Sequence, residues 1–277
     1  GIIIKNFNDK VAAITGAGSG IGRALALRLA DAGSQLALAD IDAGGLAETV
    51  KLVEPSGVRV TSEVLDVSSE TAVFEWAGET AAEHGKVNLV VNNAGVALSG
   101  TVESLSLEDF RWIMDINFWG VVYGTKAFLP HLTAAQEGHI VNLSSVFGLT
   151  SQPLMSGYNA SKFGVRGFTE SLRQELDLTG SNVSATCVHP GGIKTNIAQS
   201  ARVDRSVSVV DAVDVVLGQR ADGFHTDQAD VALGDRPRLV QAQDVDPGQG
   251  LHRRQLLPQG LASAEANDAG RDRHPRQ

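Results

Sequence analysis

Tyr158 and Lys162 stand four residues apart, a spacing that on a helix sets both side chains on one face. A free phenol titrates near pH ~10 and is a poor base at neutral pH. An ammonium beside it favours the phenolate and draws it toward the working range of an acid–base catalyst. Ser145 precedes Tyr158 by 13 residues, just after the apolar run 140–143. Its hydroxyl can donate to an oxygen on which charge develops. A Tyr and a Lys at this spacing also arise as a chance surface pair, so the rest of the chain must decide.

The first support is Thr15-Gly16-Ala17-Gly18-Ser19-Gly20-Ile21-Gly22, between an apolar run and a helix-patterned segment. A pyrophosphate must approach backbone N–H groups at a helix N-terminus, where the dipole favours negative charge. Side chains would block that approach, and the tight turn calls for glycine. Asp40 follows Gly22 by 18 residues, at the end of the next predicted strand. A carboxylate there accepts from both hydroxyls of an adenosine ribose and repels a 2′-phosphate, so it selects NAD over NADP. Its competing reading is a helix N-cap or turn aspartate, which Asp42 suits better. Asp66, after the third strand, shares that alternative. Asn92-Asn93-Ala94-Gly95 closes the fourth strand with small residues that leave room for a ligand.

These residues need a scaffold, and the pattern supplies one. Strand-length apolar runs at 11–14, 36–39, 58–65, 87–91, 139–143 and 183–188 alternate with helical periods at 21–32, 43–54, 69–84 and 157–178. A longer helical stretch covers 107–135, with a break expected near Gly120 and an end at Pro130. Buried strands each followed by a helix predict α/β architecture: a three-layer, doubly wound parallel sheet of Rossmann type. Trp112 and Trp119 mark a core or subunit-contact face.

Composition sets the outer bounds. The 277 residues carry a net charge of −9, which disfavours nucleic acid or an anionic membrane as partner. No apolar run approaches the ~20 residues of a membrane span. The single cysteine, Cys187, reads as a small buried hydrophobe and points to a reducing, cytoplasmic setting. His84, His131 and His139 lack metal-ligand spacing, so no metal site is expected. His189 reads as a packed or solvent-edge residue.

As an ordered set, Gly16, Gly20, Gly22, Asn92–Gly95, Asn117, Ser145, Tyr158, Lys162 and Pro190-Gly191 resemble the short-chain dehydrogenase/reductase family over about residues 8–200. The resemblance implies hydride transfer between a nicotinamide and a secondary alcohol or ketone. It implies Tyr158 as the acid/base, Lys162 on the nicotinamide ribose, Ser145 orienting the carbonyl, and Asn117 holding a relay water. The cofactor set it implies comprises Gly16, Ser19, Gly20, Ile21, Gly22, Asp40, Asp66, Val67, Asn93, Ala94, Gly95, Tyr158, Lys162, Pro190, Gly191, Ile193 and Thr195. NAD is the expected cofactor and NADP the second choice; the partners are a small-molecule substrate and a homo-oligomer. Ser144 rivals Ser145, but the 13-residue spacing and the following Val146-Phe147-Gly148 favour Ser145. The alternative is a dinucleotide-binding regulatory protein without catalysis, or a damaged product of the family.

That last option arises from the end of the chain. Lysine stops at Lys194 and isoleucine at Ile197, while Arg, Asp, Gln and Gly take over. A weak helical period at 207–217 and a strand at 238–242 are the elements expected there. Beyond about residue 243 too few large apolar side chains remain to offset the entropy of ordering the backbone. The organisation expected is a dinucleotide-binding and catalytic domain over 1–200 and an atypical segment over 201–277. Two readings of that segment stand: a disordered tail, or a tail translated out of frame from GC-rich DNA.

Overall fold

In the computed structural model, Ile4, residues 6–191 and residues 201–203 are described, all within one unit of the chain. Six strands form a parallel sheet: β1 (Val11–Thr15), β2 (Gln35–Asp40), β3 (Val60–Val64), β4 (Leu89–Asn92), β6 (Gly138–Leu143) and β7 (Val183–Val188). The spatial order is β3-β2-β1-β4-β6-β7. The chain winds outward from β1 to β3, returns to the centre at β4, and winds outward the other way. The crevice beyond the carboxyl ends of β1 and β4 is therefore the switch point where such sheets hold ligands.

Strand alternation distributes the core. Ala12, Ile14, Leu36 and Leu38 face α1 (Gly20–Asp31) and α2 (Ala43–Val53), meeting Ala26, Leu29, Leu46 and Val53. Ala13, Ala37 and Ala39 face the other way, toward α3 (Glu70–His84) and α5 (Gly120–Ala134). Small strand residues on that side admit large helix residues, and Trp76 meets Phe128 edge-on at 5.0 Å. Both faces are thus covered, as the continuous apolar runs predict. A smaller apolar cluster, Leu98, Leu105, Ile113, Met155 and Tyr158, unites the loops with α4 (Leu107–Met114) and α6 (Ser156–Leu178). Short β5 (Leu98–Ser99) pairs with β8 (Arg202–Val203).

The long helical stretch at 107–135 departs from expectation. A π-turn, Asp115–Trp119, joins α4 to α5, so the break falls where it is expected near Gly120. Pro130 does not end the helix; α5 runs on to Ala134 with the proline inside. Proline removes one intrahelical bond, but Phe128 and Leu132 on either side of it are fully buried, and their packing holds the helix through the defect.

Trp112 lies under the guanidinium of Arg202, 3.9 Å from its ring centre. Trp119 is 43% exposed and stacks on Tyr123. Cys187 is only half-buried in β7. The elements expected at 207–217 and 238–242 lie outside the described residues.

A row of polar side chains crosses the sheet. Asn92 of β4 and Asn142 of β6 are register partners. The Asn92 amide donates to Asn142 Oδ1 at 2.8 Å, and the Asn142 amide donates to Thr169 Oγ1 of α6 at 3.0 Å. All three residues are buried.

Candidate active site

The glycine loop takes its shape from positions where φ is positive, Gly16 at +66° and Gly20 at +49°. Gly22 is required for a different reason: a Cβ there would lie 2.0 Å from the Gly16 carbonyl oxygen. Ser19 is the extended N-cap of α1, yet its side chain makes no capping bond, and no acidic residue lies in the first turn. The opening amides of α1, including those of Gly20, Ile21 and Gly22, therefore present a dipole end that suits an anion.

The end of β4 is braced to this loop. Thr15 Oγ1 accepts from the backbone N–H groups of Asn93 and Ala94 at 3.0 and 3.1 Å. The Asn93 amide donates back to the carbonyls of Thr15 and Gly16 at 2.9 and 3.1 Å. Asn93, expected near a ribose, thus commits its amide nitrogen to the loop itself.

Asp40 comes from the end of β2 to the same place. Its Oδ2 accepts from Gly18 N–H at 2.8 Å and its Oδ1 from Asp42 N–H at 2.9 Å. Asp42 caps α2 through Gly44 N–H, as its position predicts. Asp66 is exposed and takes the N–H and hydroxyl of Ser68 on one oxygen. Val67 is buried and faces Gly120, where an added Cβ would come within 2.9 Å of it.

Three elements deliver the reactive set. Tyr158 and Lys162 share α6, Ser145 follows β6, and Asn117 sits in the π-turn. Asn117 is fully buried, with its carbonyl accepting from Val96 N–H at 2.8 Å. Its amide donates to Val96 O at 2.9 Å and to Ser161 Oγ at 3.1 Å. Lys162 Nζ donates to Leu143 O at 2.9 Å. A Cβ built on Gly95 would lie 3.2 Å from Asn117 Oδ1 and 3.5 Å from Lys162 Nζ. The loop after β4, the π-turn and α6 therefore converge on one spot.

Burial governs the electrostatics. Lys162 is 3% exposed, and loss of hydration lowers its ammonium to about 8. The Tyr158 phenol is pushed above its ordinary value by burial, with the Ser145 hydroxyl acting in the opposite sense. The sequence reading expects the ammonium to acidify the phenol. In the structure Nζ stands 5.7 Å from the ring centre, bonded to a carbonyl, and desolvation of the phenol dominates.

The two serines differ in their partners. Ser144 Oγ donates to Lys162 O at 2.8 Å and is committed to holding α6. Ser145 Oγ accepts from Phe147 N–H at 3.1 Å, and its own O–H faces the Tyr158 phenol. Pro190 O receives Val146 N–H at 3.0 Å, and Gly191 is exposed beside it. Ile193 and Thr195 lie outside the described residues.

Sequence reading missed three braces: Thr15, Ser161 and the Leu143 carbonyl. Thr15 had a usable signal, a hydroxyl residue ending the strand before the glycine loop. Ser161, between Tyr158 and Lys162, had one of the same kind.

The family model described as short chain dehydrogenase matches residues 10–206. An oxidoreductase of Mycobacterium tuberculosis, SadH, is 54% identical over 200 residues, covering 72% of each chain. A short chain dehydrogenase/reductase from Burkholderia phymatum, solved in complex with NAD, is 36% identical with a TM-score of 0.73, covering 80% of this chain and 83% of that one. A short chain dehydrogenase from Mycobacterium paratuberculosis, solved bound to NAD, is 30% identical with a TM-score of 0.69, covering 78% and 83%.

Proposed function

Because the chain belongs to the short-chain dehydrogenase family of oxidoreductases, we propose that it transfers a hydride between NAD(H) and a secondary alcohol or ketone, with Tyr158 as acid/base. The observation that carries this reading is the convergence of Gly95, Asn117 and Lys162, with Tyr158 on the same helix, beside a loop shaped for a pyrophosphate. NAD, when bound, supplies the hydride acceptor and, in its reduced form, the donor.

In this reading the α1 amides of residues 20–22 meet the diphosphate, and Asp40 accepts from the adenosine ribose. Each Asp40 oxygen already takes a backbone N–H and keeps lone pairs for more. Its negative charge disfavours a 2′-phosphate, which supports NAD over NADP. Asp66 and Val67 border the adenine, and Ala94 and Gly95 leave room at the end of β4. Pro190 and Gly191, with Ile193 and Thr195, complete the nicotinamide end.

During oxidation Tyr158 Oη takes the hydroxyl proton as the hydride departs; during reduction it returns that proton to the nascent alkoxide. Ser145 accepts Phe147 N–H and turns its one O–H toward the reacting oxygen. Lys162, held on Leu143 O, meets the nicotinamide ribose. Asn117 fixes the loop after β4 through both backbone groups of Val96 and holds a relay water. A buried ammonium is a burden usually retained where chemistry uses it, which favours a catalyst over a protein that only binds the dinucleotide.

The exposed aromatic residues Trp119 and Phe163 support a homo-oligomer, and a lone cysteine supports a cytoplasmic setting. Among the described residues no helix is long and apolar enough to cross a membrane.

Tyr158→Phe tests the assignment. Turnover over a panel of secondary alcohols and ketones should fall by about 10³-fold, while NADH affinity, read by fluorescence titration, stays near that of the wild type. A variant that still turns over at the wild-type rate removes Tyr158 from its role.

A further inference from the structure

His189 lies outside the set carried over from the family, yet it touches Ser145. β6 and β7 run in register up to Leu143 and Val188. Their extensions stay joined by Ser144 N–H to Val188 O at 2.8 Å and Val146 N–H to Pro190 O at 3.0 Å. A parallel ladder alternates donation from the two strands. The residue due to donate back at this level, to the Ser144 carbonyl, is Pro190, which has no N–H. The imidazole of His189 makes a separate contact beside that gap, with Nδ1 3.0 Å from the carbonyl oxygen of the next residue, Ser145. A carbonyl only accepts, so Nδ1 carries the hydrogen and the tautomer is fixed.

The same carbonyl accepts Gly148 N–H at 2.8 Å, and Ser145 Oγ accepts Phe147 N–H at 3.1 Å. Ser145 is thus held from both sides: by the short helical turn that follows it and by a side chain from the neighbouring strand's end. We propose that His189 is a positioning residue, whose Nδ1–H anchors the Ser145 carbonyl and so aims the Ser145 hydroxyl at the substrate oxygen. The second half of this statement rests on the oxidoreductase reading of Ser145; the first half does not.

The full-length chain, His189→Leu and His189→Asn are compared. Leucine keeps much of the bulk without a donor, and asparagine returns an N–H at the same bond count from Cα. Amide hydrogen exchange at Phe147 and Gly148 reads the anchoring directly. In His189→Leu it should quicken by about ten-fold, the worth of one ordinary hydrogen bond. kcat should fall by a similar factor, while the NADH dissociation constant holds within about two-fold. His189→Asn should recover both. Equal impairment in the two variants, or no change in exchange and kcat in His189→Leu, overturns the proposal.

Should His189→Leu fail to fold, the imidazole 15N shifts of the wild type still decide, because an Nε2–H tautomer is incompatible with the bond. Donor-dependent exchange in a chain that turns over no substrate upholds the anchoring and overturns the oxidoreductase reading.

Discussion

At the scale of the residue, Lys162 carries the largest electrostatic burden in the site. Its ammonium is lowered to about 8 from an ordinary 10.5 by burial. Between those values the unfolded chain holds a proton that the folded chain has released, so stability from this group rises with pH. The penalty is fully present below about 8 and is relieved as pH climbs toward 10.5. Tyr158 works the other way: its raised value favours the folded state at lower pH and is lost only above the ordinary tyrosine range. Lys162→Met isolates the first effect. Its stability advantage over the wild type should shrink by on the order of 2 kcal/mol from about pH 7.5 to pH 10. Urea unfolding at a series of pH values measures it. A gap that stays constant with pH means that the buried ammonium keeps its ordinary acidity.

At the scale of the element, close approach decides what a substitution does. α5 passes so near β4 that a Cβ on Gly124 would lie 2.1 Å from Asn92 Oδ1. Gly124→Ala should therefore cost about 1–3 kcal/mol through forced displacement. Gly78 of α3 has nothing within 4 Å of the same construction. Gly78→Ala should instead stabilise by about 0.5–1 kcal/mol, since alanine restricts the unfolded chain and suits a helix. Thermal melts of the pair give the two signs, and a stabilising Gly124→Ala would contradict the packing described. The same logic explains what the residues reveal in advance. The inner strands are visible because strands buried on both faces leave apolar runs such as residues 11–14, whereas β3, largely exposed, shows only through its place in the alternation. β5 and β8, two residues each, carry no period and exist only through their pairing. Pro130 misleads because its local defect is outweighed by Phe128 and Leu132, whose burial no local rule anticipates. In the site, Tyr158, Lys162, Ser145 and Asn117 are legible by type and order. The Leu143 and Ser145 carbonyls are not, because a backbone oxygen has no signature in residue identity. His189 reads as packing for that reason: its partner is such an oxygen.

At the scale of the whole molecule, the glycine loop, β2 and β4 form one hydrogen-bonded body through Thr15, Asn93 and Asp40. A ligand seated there should stabilise the entire fold. At NADH near a hundred times its dissociation constant the gain is about 2.7 kcal/mol, read as a rise in melting temperature. NADPH at equal concentration should give a smaller rise, and Asp40→Ala should narrow the difference between them. A larger shift with NADPH in the unaltered chain would reverse the coenzyme preference. One consequence follows from the buried Asn92–Asn142–Thr169 row. Sliding β4 against β6 by a single residue would break the buried Asn92–Asn142 bond and turn Asn92 to the opposite face from Asn142, which Thr169 holds in place. The row works as a detent: it keeps the strand that ends in the coenzyme crevice and the strand that ends at Ser145 in phase, so that the two halves of the reaction arrive at the same height.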